Sequence, residues 1–193
     1  MNIFKWFRKL FQRQSRIGLP PIWPSCSSSF KINCKSEQSI SKKRGRSLPI
    51  IDERSAKNIE GLNLALQPLA EQHVLELQRL GLNFKITSGL RDYAEQRRLY
   101  AKGRTAPGDK VTNARAGFSW HNFGLAYDLT LFSGKNPVWN SRHYETAGKI
   151  GKALGLEWGG DWKKIIDRPH FQLPMQITLA QARKRRANDL PLI

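Results

Sequence analysis

Two short segments of this 193-residue chain hold residue types that can bind a metal ion and work on water. They are Ser119-Trp-His121-Asn-Phe-Gly124-Leu-Ala126-Tyr-Asp128 and Asp167-Arg-Pro-His170-Phe-Gln172. A hydrolytic zinc ion takes three protein ligands and leaves its fourth position to water, whose pKa it lowers to about 7. Two neutral imidazoles and one carboxylate suffice, and His121, Asp128 and His170 can supply them. Asp167, three positions before the last of these, is left as a carboxylate that can carry the water's proton, since a carboxylate tied to the metal is a poor proton carrier. Spacing alone favours the plainer reading, in which all four are salt-bridge or capping groups.

The elements that must position these residues can be read from periodicity. Residues 125–131 alternate as a strand, with Ala126, Asp128 and Thr130 on one face and Leu125, Tyr127, Leu129 and Leu131 on the other. His121, seven residues before Asp128, reaches the same point if the chain turns at Gly124, where glycine permits the needed backbone cheaply. His170 and Gln172 share a strand face opposite Phe171 and Leu173, with Pro169 setting the approach. Upstream, Pro68 opens a predicted helix whose stripe is Leu69, His73, Leu77 and Leu80, ended by Gly81. A lone histidine on such a stripe reads as a core or boundary residue. Phe84-Lys-Ile-Thr87 alternates as a short strand, and Asp92 with Glu95 opens a helix ending near Gly103. Arg91 therefore falls at a strand-to-helix junction. Tyr144, Ala147, Ile150 and Leu154 form another helical stripe, and His143 before it reads as surface.

The Ser-x-His-x-x-Gly-x-Ala-x-Asp string followed by Asp-x-Pro-His-Phe resembles the zinc D-alanyl-D-alanine carboxypeptidase and L-alanyl-D-glutamate endopeptidase family of bacteria and their phages. Further blocks carry the resemblance across residues 55–175: Ile86-Thr-Ser-Gly-Leu-Arg91, Glu95-Gln96, Leu99-Tyr100-Ala-Lys-Gly-Arg104, Val111-Thr-Asn-Ala114 and Gly155-Leu-Glu-Trp-Gly-Gly160. It implies Zn2+ held by His121, Asp128 and His170, with Asp167 as general base and Arg91 facing the scissile carbonyl. It also implies substrate contacts from Ser119, Gln96 and Trp120, the last at a variable motif position that can shape substrate choice. The Asp-x-Pro-His ending is more like the cell-wall endopeptidase and endolysin branch than the carboxypeptidase branch, which usually has Glu at the catalytic position.

Composition bounds the rest. With 39% apolar residues, the chain is long enough for one domain with a real core. The formal charge of +18 is concentrated at the ends: residues 1–50 carry +10, residues 176–193 carry +3, and residues 51–175 only +5. Such charge favours polyanions of any kind and says little about fold. Residues 1–16 place Ile3, Phe4, Phe7, Leu10 and Phe11 at helical spacing among Lys5, Arg8, Lys9 and Arg13, a basic amphipathic pattern. This can be an element for an anionic membrane surface or a loosely docked tail; both readings stay open. It lacks the apolar run of a secretory signal. Residues 17–50, with Pro20, Pro21, Pro24 and the run Lys42-Lys-Arg-Gly-Arg46, read as linker. Cys26 and Cys34 lie in this region without C-x-x-C spacing and read as free thiols rather than zinc ligands.

The expected architecture is α+β: one zinc peptidase domain over 51–175, with helices packed on a small antiparallel sheet that carries the site. A flexible basic N-terminal region (1–50) and a basic C-terminal tail (176–193) flank it. The expected activity is zinc-dependent cleavage of the L-alanyl-D-glutamate bond in the peptidoglycan peptide stem by a monomer acting at the bacterial cell wall. Synthesis in the cytoplasm and release or membrane-assisted delivery would precede it. D-alanyl-D-alanine carboxypeptidase activity is the alternative reaction, and a non-catalytic zinc-containing binding module the alternative class, against which Asp167 and Arg91 argue together. No specific nucleic-acid partner is expected, because the basic surplus lies in the ends and no nucleic-acid-binding signature accompanies it.

Overall fold

The computed structural model describes residues 50–193. The basic amphipathic start, nearly all of the linker, Cys26 and Cys34 lie outside the described residues. The described chain opens on α1 (Glu53–Glu60), whose N-cap Asp52 accepts from the Ser55 N–H at 3.3 Å and from its hydroxyl at 2.6 Å. This helix is short and mostly polar, so no apolar stripe marks it in the sequence. In α2 (Gln67–Arg79) Pro68 occupies the first turn, where its missing N–H needs no intrahelical partner.

The buried stripe of α2 is Ala70, His73, Val74 and Leu77. This corrects the expected stripe: Leu80 falls at the C-cap, beyond the last helical residue, and is 59% exposed, while Leu69 is half-buried. His73 is a core residue, as its place on the stripe suggested. After β1 (Phe84–Ser88) comes α3 (Tyr93–Ala101), capped by Asp92, which accepts from the Glu95 N–H at 2.6 Å. A 3-10 turn (Trp120–Phe123) leads into β2 (Ala126–Ser133), followed by β3 (Asn136–Val138), α4 (His143–Ala153) and β4 (Glu157–Trp158). A second 3-10 turn, Gly159–Asp161, precedes β5 (His170–Gln172) and α5 (Leu179–Ala187).

The strands form one sheet in the order β1-β2-β5-β4, with β3 also pairing to β2, and every pairing is antiparallel. The architecture is the expected α+β. Because side chains alternate across a strand, β2 separates two environments. Tyr127, Leu129 and Leu131 enter a core shared with Val74 and Leu77 of α2, Tyr144 and Ala147 of α4, and Phe171. Glycines bring α4 close to the sheet, since a Cβ at Gly151 would lie 2.6 Å from the Phe171 ring. On the opposite face of β2, Asp128 looks into a cleft.

The C-terminal stretch set apart as a basic tail contains α5. A reciprocal capping box between Thr178 and Gln181 starts this helix, and Ala182 is buried with Phe123 and Leu125 in a second apolar cluster. Its face toward the domain is Leu179, Ala182, Arg183 and the largely exposed Arg186, whose guanidinium reaches back to Asn122, and the two arginines hide the helical period that apolar residues would have shown.

Candidate metal centre

Strand pairing does what sequence spacing cannot. Asp128 of β2 and His170 of β5 are direct cross-strand partners, so their side chains rise together on the cleft face. His121 comes from the 3-10 turn before β2. Gly124 closes that turn in the left-handed region (φ +69°), and its N–H bonds back to the His121 carbonyl at 3.2 Å. This reversal brings His121 to the face that carries Asp128.

The result is a tight triangle. His121 Nε2 lies 3.2 Å from Asp128 Oδ1, His170 Nδ1 lies 3.4 Å from the same oxygen, and the two nitrogens are 3.3 Å apart. Among the described residues these three form the one group of His, Cys, Asp or Glu side chains close enough to hold a metal ion. Both histidines are buried.

Hydrogen bonds on the far side of each ring settle what the facing atoms are. His121 Nδ1 sits 2.8 Å from the Gly89 carbonyl, which can only accept, so Nδ1 carries the proton and Nε2 presents a lone pair. Gln172 Nε2 donates to Glu157 at 2.7 Å, which orients the amide so that its Oε1, 2.9 Å from His170 Nε2, accepts from that ring. His170 Nδ1 is therefore also a lone pair in the neutral ring. Three acceptors converge on one point, an arrangement that a cation would relieve. Edges of 3.2–3.4 Å match the roughly 3.3–3.4 Å separation of ligands about 2.0–2.1 Å from a tetrahedral zinc ion. The donor set and its outer hydrogen bonds thus fit zinc.

The electrostatics agree. Burial alone would push the Asp128 carboxyl up, but the charges and hydrogen bonds of His121 and His170 outweigh it and hold the group well below the usual carboxylate range. Burial alone would lower the pKa of His170, yet the hydrogen bond and charge of Asp128 raise it. Without a cation, a proton on the imidazole is what relieves the crowded lone pairs.

Asp167 lies outside the triangle. It is half-buried on the same cleft, placed by its N–H bonding the Gly159 carbonyl at 2.9 Å. Burial first, and then the negative charge of Asp128, raise its pKa, making it a stronger base than a surface carboxylate. Arg91 is buried beside the triangle. Its Nη2 is 3.3 Å from Asp128 Oδ2 and its Nη1 is 3.2 Å from Gln96 Oε1, while its Nε has no partner among the described residues. Gln96 is fully buried, and its other end donates to the Ala114 carbonyl at 2.8 Å. It sits behind Arg91 and is not among the residues that line the cleft, because the helical spacing of α3 turns it inward.

Ser119 and Trp120 line the cleft, which has a volume of about 1310 Å³. Trp120 also packs edge-on against Phe123 with ring centroids 6.0 Å apart. Trp162 tilts over His170 at 5.0 Å, and Trp139, Phe118 and Ile165 present exposed apolar surface along the rim. Sequence reasoning left Gln172 and Glu157 unassigned. Their signal was the i, i+2 spacing of His170 and Gln172 on one strand, but the β4–β5 pairing that aligns Glu157 with Gln172 is a long-range fact. His143 begins α4 away from this group.

Comparison with known proteins adds to this geometry. A family model described as D-alanyl-D-alanine carboxypeptidase matches residues 112–173, the span that holds His121, Asp128, Asp167 and His170. The chain is 38% identical over 122 residues to the peptidoglycan L-alanyl-D-glutamate endopeptidase CwlK of Bacillus subtilis (strain 168), covering 56% of this chain and 73% of that protein. It is 39% identical over 57 residues to the L-alanyl-D-glutamate peptidase of Listeria phage A118, covering 28% of this chain and 20% of the phage protein. Among solved structures, the L-Ala D-Glu endopeptidase ChiX of Serratia marcescens aligns at 26% identity with a TM-score of 0.47, covering 65% of this chain and 91% of that one.

Proposed function

The chain belongs to the M15 peptidase family of D-alanyl-D-alanine carboxypeptidases and L-alanyl-D-glutamate endopeptidases, and from that premise we propose that it is a zinc-dependent peptidoglycan hydrolase cutting the L-alanyl-D-glutamate bond of the peptide stem. The observation that carries the reading is the convergence of the lone pairs of His121 and His170 on one oxygen of Asp128 at 3.2–3.4 Å. The choice of bond rests on the likeness to CwlK, an L-alanyl-D-glutamate endopeptidase.

His121, Asp128 and His170 would hold a zinc ion, which when bound would supply Lewis-acid chemistry toward an amide carbonyl and water. The chain's own residues do the rest. Asp167, unligated and with a raised pKa, takes the proton from the attacking water and returns it to the leaving amine. Arg91, held by Asp128 and Gln96, sets a fixed positive charge beside the carbonyl oxygen as it becomes anionic. Trp120 and Trp162 wall the reaction off from bulk solvent, and Ser119 contacts the substrate backbone. The described residues include no helix long and apolar enough to cross a membrane. The proposed place of action is the cell wall, with residues 1–16 as the element that meets an anionic membrane surface.

Mass spectrometry of purified peptidoglycan after digestion tests the reading. Stems beginning at D-glutamate, leaving L-alanine on the glycan, are the expected products. Release of free D-alanine alone would replace this assignment with the carboxypeptidase one.

A further inference from the structure

His121 is the one proposed ligand that does not sit on a strand, so something other than the sheet ladder must hold it. Its turn is tied to neighbouring segments by several hydrogen bonds. The Arg91 N–H donates to the His121 carbonyl at 3.0 Å, Asn122 Nδ2 donates to the Arg91 carbonyl at 2.9 Å, and the Gly117 N–H donates to Asn122 Oδ1 at 2.9 Å. Two carbonyls remain on the outer side of this ring, those of Gly117 and Asn122. Both accept from α5: Arg183 Nη1 donates to Gly117 O at 3.0 Å, and Arg186 Nη1 donates to Asn122 O.

These contacts are built rather than incidental. Arg183 and Arg186 are three residues apart and share a helix face with buried Ala182. The Arg183 guanidinium stacks over Phe118 at 4.0 Å, and that of Arg186 over Tyr93 at 5.0 Å. Gly117 has φ +81°, and a Cβ there would come within 2.9 Å of the Arg183 side chain. Neither arginine pairs with a carboxylate among the described residues; Arg186 directs its charge at a carbonyl in the last residues of the 3-10 turn, and Arg183 at the Gly117 carbonyl just before that turn. The helix lies beyond residue 173, where the family match ends.

We propose that α5 is part of the metal centre's support: Arg186, assisted by Arg183, is a positioning residue that holds the His121 turn in its ligating geometry. The inference rests on the reading of His121 as a ligand. Outer hydrogen-bond partners of metal ligands are typically worth about 10–100-fold in metal affinity, and this clamp acts one step further out, through the backbone.

The test measures the zinc affinity of the full chain by competition with a chromophoric chelator, together with the melting temperature of the zinc-free form. Arg186→Met keeps the side-chain stem against Tyr93 but removes the donor, and Arg186→Lys restores a cation. Lys184→Ala, on the exposed side of α5, is the control. The expected result is about 10-fold weaker zinc binding in Arg186→Met, partial recovery in Arg186→Lys, and no change in Lys184→Ala, with zinc-free melting temperatures close to the parent. Parent-like zinc affinity in Arg186→Met overturns the proposal, as does a fall in zinc-free melting temperature that accounts for the whole effect. Should Arg186→Met fail to fold, Arg183→Ala is read by the same criteria. A parent chain that binds no zinc defeats the metal reading itself and this proposal with it.

Discussion

His73 and the pair His121 and His170 are the same residue type, all buried, within a few strands of one another, yet they do opposite things. In the core, His73 closes both ring nitrogens on the protein: Nδ1 is 2.7 Å from the Tyr127 hydroxyl and Nε2 is 2.9 Å from the Ala147 carbonyl. On the cleft side, each of the other two rings closes one nitrogen on the protein and leaves the second facing another acceptor. Burial and residue type do not separate a proposed ligand from a packing histidine. What the second nitrogen faces does.

The largest expected effect comes from breaking the cleft side of this comparison. Alanine at His121, Asp128 or His170 should reduce muropeptide hydrolysis to background, and a chelator should do the same to the parent until zinc is added back. A chelator-treated parent that keeps its rate would detach the triangle from catalysis. Asp167→Asn should cost about 10²–10⁴-fold in turnover while zinc content stays at the parent level, because on the proposed mechanism it removes a proton carrier and not a ligand. Parent-like turnover in this variant would remove Asp167 from the mechanism.

Smaller effects sharpen the contrast. Gln172→Ala deletes the acceptor that fixes the tautomer of His170 and should weaken zinc binding about 10–100-fold, read by chelator competition. His73→Gln should leave zinc affinity unchanged and alter only stability. Burial lowers the pKa of His73 from 6.5 to about 4 in the folded chain, so between those values the unfolded chain takes up a proton that the folded chain refuses. Stability from this residue is therefore level above pH 6.5 and falls as pH drops toward 4, by about 3 kcal/mol over the window. Denaturant unfolding at a series of pH values should show that slope in the parent and a shallower one in His73→Gln. Equal slopes would mean that His73 is protonated in the folded core.

The same contrast marks what was legible in the sequence. The strand alternation around Asp128, the glycine reversal at Gly124 and the shared face of His170 and Gln172 are local, and each reappears in the fold. The bond from Gln96 to the Ala114 carbonyl, the acceptor at Gly89 and the pairing of Glu157 with Gln172 depend on contacts between segments well apart in the chain, and no short window of residues contains them. The C-terminal helix was hidden for another reason. Its inward face uses arginine stems and hydrogen bonds where a helix of this length usually shows apolar residues, so composition suggested a tail.

Anomalous diffraction at the zinc absorption edge, from crystals of the full chain grown with zinc, tests the central claim most directly. The account predicts a single peak among the described residues, bonded to His121 Nε2, His170 Nδ1 and Asp128 Oδ1, with Gly89 and Gln172 still holding the opposite ring nitrogens. A zinc ion bound elsewhere, or ligated through His121 Nδ1 or His170 Nε2, would contradict it.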